Sequence, residues 1–445
     1  MLFTQKSAAQ CCKKHKQEEE REDFFMQTAN STKSNFGAKG WLMIFVAGLM
    51  FYFYAGMCTD GLNTIVTNFA NAHGVDEAAI LSLTTPASWL GLIGAVLASW
   101  LVSKRGNRPI MLIAAILGGI TYMMYGVVST LAGFTIVTAL ANFFGMGYCH
   151  TCANALMANW FPTKKGLALG WATMGQNLCS ATFVLLLTAF VGIAGTNGSF
   201  YLMGALLIVA GIFSFIVMRD TPEELGCTPD NGTVSKEELE AARREMENYH
   251  SPWNAKSLLC NKQIWLIGLG FGIFIICNVA CISRLIPRLI MAGWEPPKAI
   301  ASMTVAAVLG LIGSYLTGWL DQKIGTKKAS IVYGVWYVVT LIACAIPSNN
   351  VYLQYFTVFM IGVAIGGIGN LFPSMTATLF GRYDFVRAMG VLNPITNVVR
   401  SFAFVIMGVG LSLTGTYHLA YGMVVVLCVI GTILVACIDD KQIGR

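Results

Sequence analysis

Apolar runs of about twenty residues recur along the whole chain, separated by short polar stretches. Each run is long enough to cross ~30 Å of hydrocarbon as an α-helix. The pattern predicts twelve spans, near 40–70, 80–102, 109–130, 132–159, 166–192, 198–218, 263–289, 299–320, 329–346, 351–380, 388–412 and 416–438. Several exceed the length a bilayer needs, which predicts tilted or broken helices. The expected fold class is all-α integral membrane, with twelve transmembrane helices in two pseudo-symmetric six-helix halves. Composition agrees. Of the 445 residues, 56% are hydrophobic and only 11% are charged, against roughly 25% charged in soluble domains.

The placement of charge then gives an orientation. Lys104, Arg105 and Arg108 follow the second span, Lys164 and Lys165 the fourth, Lys323, Lys327 and Lys328 the eighth, and Arg382 and Arg387 the tenth. The alternate loops carry little beyond Asp76, Glu77, Glu295 and Lys298. Basic residues concentrate on the cytosolic side, so both termini are expected there, in a multi-pass protein of the plasma (cell inner) membrane. The formal net charge of +7 belongs to these loops and does not indicate nucleic acid. The expected partners are the lipid bilayer and a small solute, and a monomer is expected.

The expected division is a cytosolic tail at 1–39, a six-helix half at 40–218, a cytosolic central loop at 219–262, a second half at 263–438 and a short tail at 439–445. In the central loop, Ser235 and Glu238 form a capping-box pattern. Leu239, Ala242, Met246 and Tyr249 share one face behind it, which predicts a short amphipathic helix. The thirteen cysteines lie mostly inside apolar spans, where free cysteine behaves as a small hydrophobe. Cys149 and Cys152 form a CxxC without further ligands close by. No metal or cofactor is expected.

The chain is written twice. Trp41, Gly48 and Asp60 match Trp265, Gly272 and Arg284; Phe134, Thr135, Gly145 and Gly147 match Phe356, Thr357, Gly367 and Gly369; Gly170 and Asn177 match Gly390 and Asn397. The offset between copies is nearly constant. Six spans per copy leave both halves pointing the same way, and such parallel repeats place a binding site between them near mid-depth.

Few strong polar groups lie inside the spans. They are Asp60, His150, Arg284 and Arg400, with Arg288 one turn beyond Arg284, expected at the outer mouth. Charges at this depth are costly and usually face a cavity. At 1.5 Å of rise per residue, Arg400 lies about 20 Å from the cytosolic end of its span and His150 about 15 Å. Asn177 and Asn397 fall at similar depth; Asp60 and Arg284 fall nearer the outside. Each has a plainer reading: Arg284 snorkelling to the interface, Asp60 pairing with it, His150 satisfied in the core, the two asparagines bonding neighbouring helices. Two cations facing one carboxylate favour an anionic ligand, and the arginine fork suits a carboxylate. Gly91 and Gly94 in span 2, Gly166, Gly170 and Gly175 in span 5, and Gly310, Gly313 and Gly318 in span 8 predict close helix packing.

This architecture resembles the major facilitator superfamily. WLVSKRGNRP at 100–109 looks like the superfamily's gate motif, with Ser103 where its aspartate is expected; GWLDQKIGTKK at 318–328 is a weaker twin. The resemblance implies a cytosolic gate at Arg105, Arg108 and Asp321. NWFPTKKGLALG at 159–170 and TPEELGCTPDNG at 221–232 look like the oxalate/formate antiporter and monocarboxylate transporter branch. That branch moves small carboxylates, and its bacterial members use a basic residue in span 11, where this chain has Arg400. Their span 8 arginine has no counterpart here, and Arg284 is the expected substitute. The lysine of the animal carriers late in span 1 is replaced by Asp60.

The function expected is secondary transport of a small organic anion, a mono- or dicarboxylate, by antiport or proton symport. Arg400, Arg284, Asp60, His150, Asn177, Asn397 and Tyr54 would bind it. A carrier of a zwitterion or bulkier aromatic acid is the nearest alternative. A non-transporting sensor is the alternative from another class. No nucleophile–base arrangement suggests an enzyme.

Overall fold

A computed structural model describes residues 36–59, 62, 65–66, 69–70, 73–75, 77–232, 240–241, 244, 249–439 and 441. The expectations for the tail before residue 36, for Asp60 and for the capping box at Ser235 and Glu238 fall outside these residues. The chain is helical in the manner the hydrophobic pattern requires. The amino-terminal helices are α1 (Gly37–Tyr54), α2 (Glu77–Arg105), α3 (Asn107–Met123) and α4 (Leu131–Trp160). The helix Lys165–Val217 breaks at Gly195, whose φ of 71° is left-handed, and so divides into α5 (165–194) and α6 (196–217). The second set begins with α7 (Lys262–Ser283), α8 (Pro296–Ile324) and α9 (Thr326–Ala345). The stretch from Val351 to Thr414 turns at Gly381 (φ 64°) into α10 (351–380) and α11 (382–414). The last is α12 (His418–Ala436). Each of the twelve expected spans thus has a helix among the described residues.

Polar residues stop and start these helices. Asn261 caps α7 by accepting from the Gln263 N–H, and Asn350 caps α10 through Tyr352 N–H. Two caps come from far along the chain. Asp220 accepts the N–H groups of Asn107 and Arg108, each at 2.7 Å. Asp230 accepts those of Thr163 and Lys164, at 3.0 and 2.8 Å. A carboxylate at a helix N-terminus satisfies orphan donors and complements the dipole. Burial pushes both carboxyls above their usual range, while these donors pull the other way. Gly106 makes room for the first cap: it has φ 85°, and a Cβ there would lie 2.5 Å from an Asp220 oxygen. The start of the central loop is thus pinned to the helices that precede it.

Two hydrophobic cores form. One is built from residues between Phe36 and Met218, the other from residues between Leu258 and Ile438. The exception is Ala155 and Ala158, from the last turns of α4, which pack into the second core. The repeat is visible in the packing. Gly48 of α1 lies against Ala172 of α5, and Gly272 of α7 against Val399 of α11. Rows of exposed apolar side chains, such as Ile113, Val209, Val335 and Val426, face outward from α3, α6, α9 and α12. That is the peripheral, lipid-facing position expected of helices without mid-span charge.

Arg288 departs from expectation. It is not at a mouth but 5% exposed inside the second core. Its guanidinium donates to Gln354 Oε1 at 2.9 Å and Thr357 Oγ1 at 2.5 Å. The short helix Leu285–Met291 turns it inward, a direction that residue counting along a straight helix does not reveal.

Candidate functional site

Between the two cores lies a cavity of about 440 Å³, within the range of small-molecule sites. The first half contributes Tyr54, His150, Asn154, Gln176 and Asn177; the second contributes Asn278, Asn393, Asn397 and Arg400. Among the described lining residues, Arg400 is the only Lys, Arg, Asp or Glu. Among the described residues it has no ion pair. Its position follows from α11. Asn393, Thr396, Asn397 and Arg400 recur at helical spacing on one face, and all line the cavity. In the repeat, Ser180 stands where Arg400 does, and it too faces the cavity. Of these two equivalent positions, only the one in the second half carries a charge.

The opposite wall is shaped by wide helical turns. α1 continues as a π-helix over Ala55–Thr59, and α4 contains one over Met146–Ala153. Such turns are rare and concentrate at functional sites. Here they carry Thr59, Met146 and His150 onto the cavity wall. Tyr54 donates its hydroxyl to Met146 Sδ at 3.6 Å and meets the His150 ring edge-on with centroids 4.6 Å apart. Phe51 closes on the same imidazole at 6.4 Å. His150 is held by aromatic edges and presents to the cavity.

The cavity ends in a floor where the halves touch. Asn177 of α5 donates to Gly310 O at 3.0 Å and Ser314 Oγ at 2.8 Å on α8. Thr173 donates to Asn370 Oδ1 on α10, and Asn370 donates to Ser314 O at 2.7 Å. Below this, toward the central loop, α5 and α8 cross at glycines that let their backbones meet. A Cβ on Gly170 would lie 2.8 Å from Ser314 O, and one on Gly318 2.5 Å from Gly166 O. Asp321 is buried against Gly166 and accepts from Thr326 Oγ1 at 2.7 Å. Above the floor the wall continues through Thr59, Ile286, Met303 and Thr304. The structure is therefore closed at the central-loop end, and its cavity extends toward the opposite end.

Not every residue singled out from sequence meets the others. Tyr54, His150, Asn177, Asn397 and Arg400 share the cavity. Arg284 does not line it. At the junction after α7 its guanidinium lies 5.8 Å from the Tyr417 ring, while its neighbours Ile282 and Ile286 face the cavity. Of the three gate residues, Asp321 is at the seam. Arg108 instead joins α3 to α6 within one half: its Nε donates to Phe215 O at 2.6 Å and it stacks on the Phe215 ring. Arg105 is exposed.

The sequence reading missed Asn154 and Asn393, one helical turn from His150 and Asn397 respectively. The i±4 rule would have found them. It also missed Glu223, in the TPEELG stretch. Glu223 is 1% exposed and pairs with Arg382 Nη2 at 2.6 Å, so the pinned loop of the first half grips the second. Glu223→Gln is expected to lower the melting temperature, a loss of about 1–3 kcal/mol for a charge-assisted contact. The Glu223→Gln/Arg382→Gln double variant should be no less stable than the worse single one. Thermal unfolding of the four proteins measures this.

Comparison with known proteins agrees with this architecture. Residues 41–376 match the family model described as Major Facilitator Superfamily, and the chain belongs to that superfamily of membrane transporters. It is 24% identical to the uncharacterized MFS-type transporter YhjX of Escherichia coli strain K12, over 58% of this chain and 59% of that protein's length. It is 23% identical to the probable galactarate/D-glucarate transporter GudP of the same strain, over 94% of this chain and 97% of GudP. The oxalate:formate antiporter of Oxalobacter formigenes is 23% identical over 78% of each chain. Among solved structures, the proton:xylose symporter XylE superposes with a TM-score of 0.69, at 13% identity, over 90% of this chain and 96% of XylE.

Proposed function

We propose that this transporter carries a small organic anion by alternating access, with Arg400 as the group that binds its carboxylate. The observation that supports this is the single fixed charge on the described cavity wall, held between the halves without an ion-pair partner among the described residues. A half-buried guanidinium at membrane depth needs an anion or a polar shell, and a substrate carboxylate supplies one. His150, Tyr54 and Asn397 are placed to contact the rest of the molecule. Asn177 lines the cavity and also belongs to the floor. Asp321, Glu223 and Arg382 act as the gate at the central-loop end. That end faces the cytosol, in keeping with the basic residues of its loops. The protein works in the plasma membrane, and the exchanged or coupled species is a counter-anion or a proton.

Two relatives, GudP and the oxalate:formate antiporter, have organic anions in their names. That supports an anion over a neutral sugar. The test is flux in proteoliposomes. Labelled organic acid should accumulate, and preloading with unlabelled acid should accelerate entry if the protein is an antiporter. Binding without flux would instead favour a sensor.

A further inference from the structure

The cavity at Arg400 has a side chamber. A space of about 290 Å³ lies between α2 and α11 and shares Tyr54, Thr59, Met146, Asn397 and Arg400 with the central cavity. It adds Trp89 and Leu92 of α2 and Phe404 of α11. The two helices meet nearer the central loop, where a Cβ on Gly390 would lie 2.9 Å from Ser99 Cβ. Ten residues along each helix from that crossing, at Trp89 and Arg400, the chamber stands between them.

Two of its residues are at the surface. Trp89 is 57% exposed and Phe404 45%. Trp89 belongs to the stripe Trp89, Ile93, Val96 and Trp100, exposed at helical spacing along α2. An apolar stripe left exposed on a membrane-spanning helix faces acyl chains. Trp89 lies twelve residues from Glu77 at the start of α2, about 18 Å of rise, and so at hydrocarbon depth. The chamber therefore runs from a guanidinium to lipid-facing rings.

We propose that this chamber is a binding site for a single-chain amphipathic acid of the free fatty acid class. Its carboxylate lies on Arg400 and its tail passes between Trp89 and Phe404 into the bilayer. This rests on the reading of Arg400 as an anion ligand and gives that residue a second class of ligand, distinct from the small solute. The head descends through the open end of the cavity while the tail stays in hydrocarbon. Lipid tails are as apolar as the chamber wall, so the contact at Arg400 sets the selectivity. One cation matches one anionic head. A zwitterionic phospholipid also brings an ammonium, and the described lining residues of the chamber include no Asp or Glu to receive it. Both ligands need Arg400, so the amphiphile excludes the small anion.

The experiment is photolabelling in phosphatidylcholine vesicles with palmitate carrying a mid-chain diazirine, mapped by mass spectrometry. Label is expected around Trp89 and Phe404, displaced by excess unlabelled palmitate. In Arg400→Ala it should fall about tenfold or more, as loss of one partner of a desolvated charge contact requires. Lipid-facing residues elsewhere, such as Ile113 and Val335, should show neither change. Ser401→Trp, on the chamber wall, should fill the space and remove the label with Arg400 in place; the wild-type displacement decides alone if that variant does not fold. Label that a phosphatidylcholine diazirine reproduces equally, or that palmitate does not displace, overturns the site. The readout needs no flux. Arg400-dependent uptake of small acids without chamber label overturns this site and leaves the transport reading standing. Displaceable label without uptake of any small acid does the reverse.

Discussion

Arg400→Ala is expected to reduce organic-anion uptake by about 100-fold or more while leaving the protein folded in the membrane. The magnitude follows from removing one partner of a desolvated charge pair, which costs about 2–5 kcal/mol. The fold should tolerate the change, because Arg400 makes no ion pair among the described residues that its loss would break. Arg400→Lys keeps the charge and loses the planar fork, so about a tenfold loss is expected, mainly in affinity. Uptake into proteoliposomes, normalised to correctly folded protein by size-exclusion, is the measurement. Undiminished uptake by Arg400→Ala would show that the anion is bound elsewhere.

The second large effect concerns the crossing of α5 and α8. In Gly318→Leu, the new Cβ would lie 2.5 Å from Gly166 O and 3.0 Å from the Gly170 Cα. Both are backbone atoms, which cannot rotate away as a side chain would. The halves must then separate at the central-loop end, with an overpacking cost of about 1–3 kcal/mol. That shifts the balance between the two end states by roughly 5- to 150-fold. Transport should fall about tenfold or more, since a carrier held open at one end cannot complete its cycle. Accessibility gives the direction. In a background without native cysteines, Gln176→Cys, on the cavity wall, should become reactive to an impermeant thiol reagent added from the central-loop side. Gly318→Ala carries the same Cβ and should act the same way more weakly. Unchanged labelling and unchanged transport would mean that this seam is not the closure.

The two predictions draw on different levels of information. Arg400 was legible because a charge inside an apolar run is rare and needs a reason. The same logic chose Arg284 and Arg288, and there it reached its limit. A helix rise gives depth but not azimuth. Ile282 and Ile286 face the cavity, so Arg284 between them turns toward Tyr417, and Arg288 turns into the second core. The asparagines show the converse. Asn154 and Asn393 carry no charge and raise no alarm in a sequence, yet both line the cavity.

The sequence by itself determined the class. Apolar runs of membrane length, their number, the segregation of basic loops and the doubled order of Trp, Gly and Asn positions all follow from local composition. Hydrocarbon enforces helices wherever such runs occur. It also determined which glycines matter, since only close approach explains their stripes in spans 5 and 8. Only the tertiary structure decided which end is shut and which amides line the cavity. It also showed that Glu223, far along the chain in a loop, grips Arg382 across the halves. Those are properties of pairs of residues distant in sequence. Their free energy depends on distance and burial, which no single stretch of chain encodes.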